Sequence, residues 1–79
     1  MQVLVRYETT DPEAWTEIHD RHSGERMEAG MQQLQLWREG SAAVWGLYEA
    51  DERASAEAHL QSYGTLQGGV AEIHWLETF

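Results

Sequence analysis

The chain contains no cysteine, no lysine and no asparagine, and it has a single proline. Without cysteine there is no disulfide, no thiolate nucleophile and no Cys-based zinc site. Positive charge is scarce: five arginines face fourteen acidic residues, for a formal net charge of -9. Such a surface repels phosphate backbones and anionic lipid, so neither nucleic acid nor a membrane is an expected partner. No apolar run approaches the roughly 20 residues needed to span a bilayer. The start, Met1-Gln2-Val3-Leu4-Val5-Arg6, has neither the basic n-region nor the apolar stretch of a secretory signal. The expectation is a cytoplasmic protein.

Residues 1–79 are expected to form one small domain. A chain of this size buries only about 60% of the surface that its unfolded form exposes. With no covalent staple, stability must come from aromatic packing, from association, or from both.

Val3, Leu4, Val5 and Tyr7 predict a strand over residues 2–8. Asp11 before Pro12 is a helix start, because the carboxylate caps free backbone N–H groups and proline is tolerated at the first helical position. That helix is predicted from Pro12 to about Ala29, with Ser23-Gly24 as a point where it bends or is interrupted, and Gly30 ending it. Strands follow over 31–38 and 42–50, separated by Gly40-Ser41. Asp51 is placed as the cap of a second helix over 52–62, with Gly64 as its terminator. Gly68-Gly69 then turns the chain into a last strand over 70–78.

The order β-α-β-β-α-β predicts an α+β, ferredoxin-like fold: a four-stranded antiparallel sheet with two helices on one face. Several strands carry large apolar groups on both sides. Strand 1 sets Val3, Val5 and Tyr7 against Leu4, strand 3 sets Val44 and Tyr48 against Trp45 and Leu47, and strand 4 sets Ile73 and Trp75 against Leu76. Two helices cover only one face, so the second calls for another cover. A second copy of the chain is the simplest, giving a homodimer packed sheet to sheet.

The segments Val3-Leu4-Val5-Arg6-Tyr7, Asp11-Pro12-Glu13-Ala14-Trp15, Leu34-Gln35-Leu36-Trp37-Arg38, Val44-Trp45-Gly46-Leu47-Tyr48-Glu49 and His74-Trp75-Leu76-Glu77 carry a family resemblance. The chain resembles the dimeric α/β-barrel superfamily over essentially its whole length. That resemblance implies two ferredoxin-like subunits packed sheet against sheet, with a ligand pocket between helices and sheet in each. Members include cofactor-independent monooxygenases of antibiotic biosynthesis, polyketide cyclases and haem-degrading enzymes. The chain lacks the asparagine of the haem-degrading members. Its segment Tyr63-Gly64-Thr65-Leu66-Gln67-Gly68 lacks the histidines of the plant cyclase type. Fold alone does not choose among these chemistries.

Four histidines are the richest chemical signal. At about 100° per residue, Trp15, Ile18, His22 and Ala29 share one stripe of the first helix, with His22 near its centre and His19 on a flank. On this spacing His22 faces the sheet and serves as general acid or base, since its charge changes near neutral pH. His59 or Tyr63, on the second helix, would assist it. Trp15, Ile18, His19, Tyr7 and Leu60 are the expected ligand-binding walls. The alternative for each histidine is structural: His22 bonded to backbone, His59 at an amphipathic edge, His74 in an inter-subunit hydrogen bond. His19 and His22 stand at i,i+3, but no third ligand or orienting shell accompanies them, so no metal is expected. No phosphate loop or nucleophile motif is present, and no cofactor is expected. Gln33 and Gln35 are placed on one strand face with Trp37. The reading is therefore a small-molecule-binding homodimer, with a cofactor-independent monooxygenase- or cyclase-like activity on an aromatic or polyketide-like substrate as one form of it. The rivals are a non-catalytic binding or structural dimer and, third, a metal-binding protein.

Overall fold

Asp11 begins the first helix as its chemistry requires: its Oδ1 accepts the Ala14 N–H at 3.1 Å, and Pro12 follows as the first helical residue. In the computed structural model, residues 1–63 and 69–79 are described, the Tyr63 side chain excepted. The elements are β1 (Gln2–Glu8), α1 (Pro12–Arg21), α2 (Ser23–Glu28), β2 (Met31–Glu39), β3 (Ala43–Ala50), α3 (Arg53–Tyr63) and β4 (Val70–Leu76). The four strands make one antiparallel sheet in the order β2-β3-β1-β4. The α+β class and the antiparallel sheet are as expected, with three helices in place of two. Among the described residues no helix is long and apolar enough to cross a membrane.

The extra helix comes from a break at His22, whose backbone sits at φ -98°, ψ 16°. The sequence predicts one helix through Ala29 with His22 facing the sheet. The Ser23-Gly24 pair, poor in helix propensity, instead ends α1 and restarts the chain as α2. The angular count past Arg21 is thereby reset. His19, one turn after Trp15, takes the place under the helix that the unbroken spacing gave to His22.

Gly30 stops α2 with φ +75°, and Gly40 turns the β2–β3 hairpin with φ +55°. Both angles lie in the region open chiefly to glycine. The residue before α3 is Glu52, whose carbonyl accepts the Ala56 N–H, so the start lies one residue beyond the expected Asp51 cap. The expected terminator Gly64 and the first glycine of Gly68-Gly69 lie outside the described residues.

A β-bulge separates Gln33 from Gln35. Gln33 pairs with Tyr48, whereas Gln35 pairs with Leu47 and Trp37 with Trp45. The extra residue changes the side of the sheet, so Gln33 does not share a face with Gln35 and Trp37 as strict alternation predicts.

The core lies between helices and sheet. Val3, Val5 and Tyr7 of β1, Val44 and Tyr48 of β3, Met31, Trp15 of α1, and Ala56 and Leu60 of α3 are buried together. Register puts Leu4, Arg6, Trp45, Leu47, Trp37, His74 and Leu76 on the opposite face. Among the described residues no helix or strand covers that face.

Candidate functional site

Three polar side chains meet in the middle of this core. The Tyr7 and Tyr48 hydroxyls are 3.1 Å apart, and the Tyr48 hydroxyl is 2.8 Å from His19 Nε2. Alternation along β1 and β3 turns both tyrosines toward the helices. His19 descends from α1 to meet them and is only 1% exposed. The Trp15 ring stacks on His19 with centroids 4.4 Å apart, and it touches Tyr7 at 4.7 Å.

Gly46 makes this geometry possible. The Tyr48 ring leans back along β3 across Gly46, and a Cβ there would sit 2.5 Å from the Tyr48 hydroxyl oxygen. Glycine within a strand often marks such a close approach.

Arg26 reaches the cluster from α2. It is 5% exposed, and its Nη1 donates to the His19 carbonyl. Among the described residues no carboxylate is within ion-pair distance of it. Burial pushes the Tyr7 hydroxyl up to about 12, while the Tyr48 bond and the Arg26 charge pull it down. Burial first, and then the neighbouring Tyr7, raise Tyr48 as well. Both phenols are neutral over the physiological range and act as hydrogen-bond donors and acceptors, not as bases. The Trp15 indole N–H is buried and finds no hydrogen-bond partner among the described residues.

No family model, no curated protein and no solved structure matches the chain. The residues themselves therefore carry the functional argument.

Of the expected ligand walls, Tyr7, Trp15, His19 and Leu60 come together in the core. Ile18 does not: it is 36% exposed on the outer side of α1. His22 stands at the α1–α2 break, half-buried, with Nδ1 3.7 Å from Glu25. His59 is half-buried on α3, where burial first and the Arg26 charge second lower its pKa. Tyr63 is the last residue of α3, and its side chain lies outside the described residues. The structure thus brings His19, rather than His22, into the buried aromatic cluster. Among the described residues no group of three or more His, Asp or Glu is arranged to hold a metal ion. Tyr48, Gly46 and Arg26 were not singled out from the sequence. The strand glycine two residues before a tyrosine was the available signal.

Among the described residues, hollows of about 510, 750, 210 and 130 Å³ open on the surface. None of them is lined by Tyr7, Trp15, His19, His22 or His59. The 510 Å³ groove, between α2, β2 and the end of β3, is lined by Arg26 and so adjoins the buried cluster.

The uncovered sheet face has its own network. Glu39 Oε1 accepts from Trp45 Nε1 at 2.7 Å and from Arg6 Nε at 3.0 Å. The Trp45 bond first, and the Arg6 bond second, hold the Glu39 carboxyl below the usual carboxylate range. His74 stacks beside Trp45 and pairs with Glu72 at 3.0 Å. Leu4, Leu47, Trp37 and Leu76 surround these groups.

Proposed function

We propose that the chain is a small-molecule-binding protein, ferredoxin-like in each subunit, that pairs with a second copy through its uncovered sheet face. The observation that carries the ligand reading is the buried Tyr7–Tyr48–His19 chain with the Arg26 guanidinium beside it. Burying so many polar groups in so small a core opposes stability unless each finds a partner. Among the described residues Arg26 has no carboxylate within ion-pair distance, and the Trp15 indole N–H has no acceptor. Clusters of this kind gather at binding and catalytic sites.

The chain of hydroxyls ending on an imidazole is suited to orienting a polar group or holding a proton at His19 Nε2. Pairing is supported by the tryptophans and leucines of the open face, which exceed what a lone soluble sheet usually leaves in water.

A second reading is a dimer without a ligand, its histidine a packing residue. The observation favouring it is the close stack of Trp15 on His19, with none of the four hollows reaching that histidine.

A thermal-shift screen against phenols, aromatic acids and amino acids, repeated on Tyr48→Phe, tests the ligand reading. A compound that stabilises the wild type and not the variant is expected. A screen with no stabilising compound leaves the second reading. Sedimentation at micromolar concentration tests the pairing, and a clean 9.1 kDa species would overturn it.

A further inference from the structure

We infer that the groove between α2 and β2 takes a small ligand bearing both a carboxylate and an ammonium group, the amino-acid class. Arg26 would hold the carboxylate, and Asp51 the ammonium. This deepens the small-molecule reading and rests on it.

Arg26 carries the first half. A guanidinium offers five N–H donors in a planar fork. Nη1 is engaged by the His19 carbonyl, and no carboxylate of the described chain neutralises the charge. A buried cation in that state is costly, and a carboxylate entering from the groove would meet the fork and neutralise it.

Asp51 carries the second half. It turns its carboxylate toward Gly30, where a Cβ would lie 3.2 Å from Oδ2. It lines the same groove as Arg26.

Opposite signs in one groove discriminate. A simple anion meets the repelling Asp51 carboxylate, and a simple cation meets a buried guanidinium. A ligand with both charges satisfies both. Met27 and Met31 add a soft apolar wall for its side chain, and Gln33 adds a neutral donor and acceptor. A volume of about 510 Å³ lies within the usual span of small-molecule sites.

The test is a titration of isotope-labelled protein with L-norleucine, hexanoate or hexylamine, read by amide chemical shifts. Norleucine is expected to shift Met27, Gly30, Met31 and Gln33 saturably, and to bind about tenfold or more tighter than either singly charged compound. Arg26→Met should abolish norleucine binding. Because a buried residue is changed there and folding can fail, Asp51→Asn is the second variant. It should weaken norleucine about tenfold and leave hexanoate unchanged or tighter. Equal binding of hexanoate and norleucine, or shifts confined to other parts of the chain, would overturn the assignment. Silence from norleucine beside a hit in the thermal screen overturns the groove alone, whereas silence in both experiments overturns the small-molecule reading too.

Discussion

Along β1, Val3, Val5 and Tyr7 are buried beneath the helices, while Leu4 and Arg6 between them are only half-buried on the open face. Across β3 the same alternation sets Tyr48 against Trp45 and Leu47. The covered face holds its polar groups inside, as a chain of neutral hydroxyls and an imidazole. The open face holds them as charged groups around tryptophans. The difference teaches how each face meets its environment. Groups sealed from water are neutral or hydrogen-bonded, whereas groups on the open face stay charged and solvated.

Two tryptophans give the sharpest contrast. Trp15 is 2% exposed and Trp37 is 45% exposed. Replacing Trp15 with alanine should cost about 3–5 kcal/mol in urea melts, because it empties packed volume. Trp37→Ala should leave the subunit's own stability within about 0.5 kcal/mol. It should instead raise the protein concentration at which sedimentation detects dimers. Equal losses from the two substitutions in a monomeric sample would erase the distinction between the faces.

Alkali attacks the covered face only. The Tyr7 pKa is raised from 10.0 to about 12, and Tyr48 is raised in the same direction. A group whose folded pKa lies above its unfolded value contributes stability that is complete below the unfolded pKa. That contribution disappears as pH rises through the folded one. For Tyr7 the contribution is about 2–3 kcal/mol, lost from about pH 10 to about pH 12. Urea melts across this range should show the decline, and Tyr7→Phe should make it shallower, leaving the part that Tyr48 contributes. A variant that declines as steeply as the wild type would remove Tyr7 as the cause.

Gly46→Ala isolates the Tyr48 bridge. The new methyl would displace the ring, so the hydroxyl chain to Tyr7 and His19 should break at a cost of about 1–3 kcal/mol. Melts of Gly46→Ala, Tyr48→Phe and the double variant check the coupling. Losses that simply add would mean that the methyl acts elsewhere than on the Tyr48 hydroxyl.

Much of this architecture was legible because it follows from alternation and from turn chemistry. The two faces of β1, β3 and β4 were read from single residues such as Leu4, Trp45 and His74. The cap at Asp11 and the stop at Gly30 were read from backbone requirements. What escaped depended on local interruptions. The break at His22 took that residue off the predicted stripe, because one non-helical residue resets every later angle, whereas His19 precedes the break and lies under the helix by its i,i+4 spacing from Trp15. The bulge beside Leu34 moved Gln33 to the helix side for the same kind of reason. The Tyr7–Tyr48–His19 chain needed the register between β1 and β3, which a periodicity does not contain. Arg26 escaped because it lies beyond the break, on a helix that the sequence reads as continuous with α1.

The smallest expected effect is at His59, on the helix side but half-exposed. Burial first, and the Arg26 charge second, lower its pKa from 6.5. The folded state therefore holds the imidazole neutral where the unfolded chain would already protonate. The sign follows directly: the contribution is complete above pH 6.5 and is lost as pH falls through the lower folded value. Water around a half-buried ring screens the effect, so only a shallow decline is expected. Melting temperature followed from neutral pH into mild acid should fall slightly more for the wild type than for His59→Gln. Arg26→Met, if folded, should also reduce the decline, because it removes the second cause. A wild type that gains stability on acidification, relative to His59→Gln, would reverse the sign and place His59 beside net negative charge.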